Sequence, residues 1–234
     1  SISGVALEQL EVCVPEFIDS MKELVKTDCV EFLSETYAHS LASLCDPEEF
    51  KMQVRQHDEK IEQLFGVKPK VFRNTELIFS DDIASMIASM GFKGVITEGA
   101  KHILGWKSPN YLYSSAAAPK LKMLLKNYEW SDYPLTAEKF ISWVKNYPEE
   151  EPIVNLFMNY ETLGELQPRE SGIFEFMKAL PRFAEQEGVG FCTPTEAISK
   201  LKPVDMLSVP YPMSWADEAR DTSAWLGNPL QNEA

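Results

Sequence analysis

The chain is short of cysteine and of positive charge, and each shortage excludes a class of protein. The four cysteines, Cys13, Cys29, Cys45 and Cys192, form no C-x-x-C pair and no Cys/His ligand spacing. In 234 residues that pattern implies neither a structural zinc nor a disulfide framework. Reduced, mostly buried thiols in a reducing compartment are expected, and with them a cytoplasmic location. The three histidines, His39, His57 and His102, are too scattered to make a metal site by themselves, so the expectation is no metal and no cofactor.

Basic residues number 22 against 36 acids, a net charge of −14. Phosphate binding needs a basic face, so no nucleic-acid partner is expected. An anionic substrate suits the balance poorly, and a neutral one such as a sugar suits it better. No apolar run approaches the roughly 18 residues of a membrane span, and no membrane association is expected. A basic, apolar leader is also missing from the Ser-Ile start, so an intact signal peptide is not expected and the start reads as processed or truncated. No G-x-G-x-x-G follows a strand and no G-x-x-x-x-G-K-[ST] occurs, leaving nucleotide phosphates without a ready cradle.

What is present is alternation of strand and helix signals. Apolar positions from Val5 to Leu24 recur near the helical period, with Pro15 predicting a kink or two shorter helices. Cys29–Leu33 reads as a strand. Asp46-Pro47-Glu48-Glu49 is a strong helix start, and that helix runs to about Leu64 before Gly66. Lys70–Asn74 reads as a strand, Ser80-Asp81-Asp82 caps a helix from Ile83 to Met90, and Val95–Thr97 is a strand. Further on come a strand over Pro119–Leu125, a helix beginning at Leu135–Glu138 and running through Val144, and a strand over Ile153–Phe157. Helices are expected over Gly172–Glu187, from Pro194, and as a short tail helix over Trp215–Leu226. The alternation implies an α/β fold with a mainly parallel sheet or barrel, an open doubly wound sheet being the alternative.

Two stretches carry the chemistry. Gly94–Gly99 and Ile153–Gly164 are apolar runs that end in acidic and amide residues beside a glycine. In parallel α/β proteins ligands sit beyond the C-terminal ends of the strands. The strand-end carboxylates are Glu35, Glu76, Glu98 and Glu161. Paired carboxyl groups flanking a scissile bond are the minimum equipment of a glycoside hydrolase, about 5–5.5 Å apart in a retaining enzyme. Tyr37, Trp106, Tyr111, Tyr113, Trp130 and Tyr160 lie near these ends and are compatible with sugar stacking, although such residues also serve ordinary cores. His39 and His102 each follow a strand, where a structural role is as natural as a catalytic one. A metal-dependent deacetylase on a related barrel would need an Asp and two His, and no H-x-x-x-H occurs.

Several ordered motifs together resemble the α-amylase-like members of glycoside hydrolase family 57. They are Cys29–Ser40 (CVEFLSETYAHS), Val71–Leu77 (VFRNTEL), Ile96–Gly99 (ITEG), Asn159–Glu165 (NYETLGE), Ser214–Asp221 (SWADEARD) and Ala224–Asn228 (AWLGN). The resemblance implies a seven-stranded (β/α) barrel, incomplete here, over residues 1–203, with a C-terminal helical extension over 204–234. It implies retaining hydrolysis of α-glucans or maltooligosaccharides. The family nucleophile falls on Glu98, and the family acid/base aspartate falls on Asn159. His39, Glu35, Glu76, Glu161, Tyr160 and Trp215 are the implied substrate-contact or charge-tuning residues.

The chain departs from the family pattern in three places. The family's His-Gln-Pro motif is absent, the stretch between Asn127 and Tyr128 is shorter than expected, and Asn159 is an amide. An amide cannot protonate a leaving oxygen or deprotonate water. The alternative reading is therefore a catalytically impaired homologue that binds α-glucan without hydrolysing it. A variant puts the acid role on Glu161, two residues along.

Overall fold

The computed structural model describes residues 1–127, 136–216 and 218–233. Expectations that fall on Trp130, on Leu135 as a helix start, and on Asp217 lie outside the described residues.

The chain opens with α1 (Gly4–Cys13) and α2 (Pro15–Val25), the pair that Pro15 predicts, followed by α3 (Ala42–Cys45). The long α4 (Pro47–Phe65) begins where Asp46 accepts hydrogen bonds from the N–H groups of Glu48 and Glu49. It ends at Gly66, whose φ of 69° is a left-handed conformation that favours glycine. Its apolar face holds Phe50, Val54, Ile61 and Phe65 at three- and four-residue spacing, together with the buried His57. Then come β1 (Val71–Arg73), α5 (Asp81–Ser89), β2 (Gly94–Glu98), α6 (Lys101–Leu104), β3 (Tyr113–Ser115) and β4 (Lys122–Lys126). The second half holds α7 (Ala137–Lys145), α8 (Ile173–Gln186), α9 (Pro194–Lys200), β5 (Asp205–Leu207), α10 (Ser223–Leu226) and α11 (Pro229–Glu233).

Among the described residues the sheet has five strands in the order β1-β2-β4-β3-β5. The pairs β1/β2, β2/β4 and β3/β5 are parallel, and β3/β4 is antiparallel. Two further segments join by single parallel bridges, Ser34 to Phe72 and Asn155 to Lys126. The strands expected over Cys29–Leu33 and Ile153–Phe157 are reduced to these bridges. The ladder at Ser34 is short because its partner β1 has only three residues. At Asn155, the pairing is confined to the last residue of β4. Neither β3 nor β5 was expected, since each is only three residues long and too brief to show a period.

Core side chains divide by strand alternation. Phe72, Val95, Met123 and Leu125 pack with Phe50 and Val54 of α4 and with Ile83 and Ile87 of α5. Ile96 and Leu124, on the opposite face, meet Ala197 and Ile198 of α9. Helices α1 and α2 cover the C-terminal half of the same face of α4 through Leu7, Ile18, Ile61 and Phe65. Helices α7 and α8 form a separate cluster around Phe140, Ile141 and Leu180.

Two expectations are corrected. All four cysteines are exposed rather than buried. They sit at helix ends and in loops, off the apolar stripes that pack. The tail helix is shorter than expected, Ser223–Leu226, because residues 213–216 run as an irregular segment tied to the loop after β1. No described helix is long and apolar enough to cross a membrane.

Candidate active site

Glu98 is the last residue of β2 and pairs in register with Lys126, the last residue of β4. Partners on adjacent parallel strands project from the same face. The Lys126 ammonium accordingly lies 3.6 Å from Glu98 Oε2, and the Arg220 guanidinium 4.0 Å from it. Glu98 is fully buried, and its Oε1 accepts the N–H of Gly99 at 3.0 Å. Its Oε2 accepts no hydrogen bond among the described residues. Burial lowers the Lys126 pKa, while the charge of Glu98 works against that shift. Gly99 has no side chain for a steric reason: a Cβ there would lie 2.5 Å from the Lys126 carbonyl oxygen.

The loop after β1 delivers Glu76. Asn74 steadies the loop by donating to Ser43 Oγ and to the Ile78 carbonyl, and Thr36 and Thr75 share a hydroxyl hydrogen bond of 2.9 Å. Glu76 accepts from Trp215 Nε1 at 2.8 Å and faces His39 Nε2 at 3.2 Å. Its carboxyl pKa is lowered by the His39 hydrogen bond, with burial opposing. The other ring nitrogen of His39 lies 3.1 Å from Glu35 Oε2. Hydrogen bonds to Glu35 and Glu76 lift the His39 pKa to about 9.

Glu35 is buried, and burial pushes its pKa up. The hydrogen bond from His39 and the charge of Arg73, whose Nη1 lies 3.2 Å from Glu35 Oε2, outweigh that and hold the carboxyl near 2. The Ser1 hydroxyl also donates to Glu35. From below, the Glu35 N–H donates to Nδ1 of the buried His57, whose Nε2 donates to the Ile2 carbonyl.

Trp215 joins the two groups. Its ring lies under the Lys126 ammonium at 4.7 Å and meets Phe157 edge to face at 5.2 Å, while its carbonyl accepts from Arg220. Arg73 lies over the Phe157 ring, 5.0 Å from its centre. Beside Trp215 opens a cavity of about 230 Å³ lined by Lys126, Asn127, Phe157, Asn159, Thr162 and Leu166, among others. Asn159 is exposed at this wall and precedes a single turn, Tyr160–Thr162.

The structure thus gathers Glu35, His39, Glu76, Trp215 and Glu98 into one connected cluster and sets Asn159 on the adjoining cavity. Tyr160 and Glu161 are exposed on the turn beyond it. Among the described residues, no recorded side-chain hydrogen bond or ion pair links Glu161 to the cluster. Arg73, Lys126, Phe157 and Arg220 were missed by sequence reasoning. A signal existed for Arg73 and Arg220, which lie inside the quoted motifs. Lys126 could have been found only from its register against Glu98. Among the described residues, no group of three or more His, Cys, Asp or Glu is placed to hold a metal ion.

The site is thus a parallel-dominated α/β sheet with carboxylates, cations and an indole at its strand ends. The family model described as glycosyl hydrolase family 57 matches residues 1–210, and the chain belongs to that family. A protein of Methanocaldococcus jannaschii named "Putative alpha-amylase" is 43% identical over 248 residues, covering 99% of this chain and 52% of its own length. The chain therefore spans about half the length of that relative. Among solved structures, the 4-alpha-glucanotransferase of Thermococcus litoralis superposes with a TM-score of 0.75 at 18% identity, over 91% of this chain and 35% of the other. A branching enzyme of the same family from Thermococcus kodakaraensis, solved with glucose, gives 0.75 at 13% identity, over 97% and 56%. At such identities these two likenesses speak for the fold alone.

Proposed function

We propose that this chain is the barrel portion of a retaining, α-amylase-type glycoside hydrolase acting on α-glucans or maltooligosaccharides. Glu98 is its nucleophile and Asn159 occupies the acid/base position. The observation that carries the reading is the Glu98 carboxylate. It lies at the C-terminal end of a parallel strand, with two cations within 4.0 Å of its Oε2, an oxygen that accepts no hydrogen bond among the described residues. Such an oxygen has its electron pair available for an anomeric carbon. Attack forms the glycosyl ester as the C–O bond to the leaving sugar breaks, the leaving oxygen taking its proton from the carboxyl of Asn159→Asp or, in the protein as it stands, from water; water then hydrolyses the ester with net retention. Trp215, Tyr160, Glu76 and Glu161 are assigned to the sugar side of this site. On this reading the sheet and its two bridged segments are part of a seven-stranded (β/α) barrel over residues 1–203, followed by a C-terminal extension over 204–234. The acidic balance of the chain suits a neutral substrate and a cytoplasmic setting without nucleic-acid partners.

Asn159 favours a second reading, a homologue that binds α-glucan but hydrolyses it poorly or not at all. The test is release of reducing ends from a maltooligosaccharide panel by the protein as it stands and by Asn159→Asp. Turnover with retention by either form supports the hydrolase fold. Binding without turnover in both forms supports the second reading, and neither binding nor turnover overturns both.

A further inference from the structure

His39 and Glu76 face each other from backbones that both lie in the left-handed region, with φ of 53° and 52°. That region is disfavoured for residues with a Cβ, so the surrounding contacts must hold both in place. Those contacts form one chain. Arg73 Nη1 and His39 Nδ1 converge on the same oxygen of Glu35, at 3.2 and 3.1 Å. His39 Nε2 reaches Glu76 Oε1, and Glu76 Oε2 takes the Trp215 indole N–H at 2.8 Å. Glu35 and Arg73 are buried, with exposures of 1% and 5%, and both Glu35 oxygens are already engaged. Neither is placed to touch a sugar. Trp215 is half-buried and lines the cavity that also holds Asn159.

We propose that Arg73, Glu35 and His39 are positioning residues that act through Glu76 to fix the Trp215 indole as the sugar-stacking wall of this cavity. An indole has one polar atom on a large apolar ring, so holding its N–H sets the rotation of the whole face. Phe157 meets the ring edge to face, while Arg220 holds the Trp215 carbonyl. The Glu76 carboxylate is therefore the polar anchor, and the ion chain behind it keeps that anchor in one rotamer. Replacing His39 leaves Glu76 Oε1 without a hydrogen-bond partner among the described residues. The indole then loses its fixed orientation although its own contacts are untouched. The sugar rests on the α-glucan reading; the clamp itself does not.

Two measurements on the whole chain separate these layers. In the first, indole N–H exchange is followed by ¹H–¹⁵N NMR, the Trp215 resonance being identified by its loss in Trp215→Phe. In His39→Ala, Trp215 exchange is expected to speed up about tenfold, as for contacting residues that couple, while the other indole resonances stay put and report an intact fold. Unchanged Trp215 exchange overturns the proposal. Should His39→Ala not fold, His39→Gln keeps one donor and is expected to give an intermediate exchange rate; an unchanged rate there counts equally against the proposal. In the second, maltoheptaose affinity is measured by calorimetry. His39→Ala is expected to weaken it about tenfold in the native background and not at all in Trp215→Phe, because the two substitutions remove the same wall. An equal loss in both backgrounds overturns the proposal. If maltoheptaose does not bind the unsubstituted protein, the α-glucan reading fails, and the clamp is judged on indole exchange alone.

Discussion

Trp215 donates its indole N–H to Glu76 at 2.8 Å across 139 residues of chain. That hydrogen bond ties the irregular segment after β5 to the loop after β1. The same segment supplies Arg220, 4.0 Å from Glu98. The tail is thus a structural member of the site, and its removal would strip the cluster of its aromatic wall and one of its cations.

Substituting Glu98→Gln keeps the shape of the site and removes the nucleophile. In whichever form of the protein turns over maltooligosaccharides, activity should fall by at least about 10³-fold, a loss of the size seen when a covalent nucleophile is removed. Rates on a maltooligosaccharide panel check this, and near-native turnover by the variant would reject Glu98 as nucleophile.

Restoring a carboxyl by Asn159→Asp should raise turnover by roughly 10²–10⁴-fold, the usual contribution of a positioned general acid. Because this residue lies exposed on the cavity wall, the thermal midpoint should move by little. The comparison is of reducing-end release and melting curves for the two proteins.

Adding a methyl group by Gly99→Ala places a Cβ 2.5 Å from the Lys126 carbonyl oxygen and 3.1 Å from Pro109 Cβ. Backbone cannot yield as a flexible side chain would, so the strand ends carrying Glu98 and Lys126 must part. A loss of about 1–3 kcal/mol is expected, as for overpacked interiors. Denaturant unfolding measures it, and an unchanged midpoint would show that the strand ends can shift freely.

Lys126→Met leaves the buried Glu98 carboxylate without its nearest cation. Breaking a buried pair from one side costs about 3–5 kcal/mol, and the partial exposure of Lys126 and the presence of Arg220 put the expected cost at the lower end. Urea unfolding of the variant tests this; a cost below about 1 kcal/mol would mean that Arg220 alone compensates Glu98.

Stability should depend on pH through the His39–Glu35 pair. Hydrogen bonds to Glu35 and Glu76 raise the His39 pKa to about 9, against burial and the charge of Arg73. A raised pKa means that the contribution is full below the unfolded value of about 6.5 and is lost as pH rises through about 9. For Glu35, burial raises the pKa, but His39, Arg73 and Ser1 bring it down to about 2. Its contribution is present above the unfolded value of about 4.5 and fades as pH falls towards 2. The pair should contribute in full between about pH 4.5 and 6.5, and His39→Gln should flatten the alkaline limb of a plot of thermal midpoint against pH.

The local elements were legible because their causes are local. Asp46-Pro47, Ser80 and Gly66 mark helix ends by capping chemistry that needs no tertiary partner. The run Gly94–Thr97 reads as a buried strand because both its faces are covered. Glu98, Glu35, Glu76 and Asn159 stood out because each follows such a run. What the sequence by itself determined is the alternating α/β order, the family motifs and the set of carboxylates at strand ends. The tertiary structure decided which of those carboxylates meet. Register placed Lys126 against Glu98, and the returning segment brought Trp215 to Glu76 and Arg220 towards Glu98. It also left Glu161 outside the cluster and reduced two expected strands to single bridges. These outcomes depend on pairing between residues up to 139 positions apart, and no local period or cap encodes a partner at that distance.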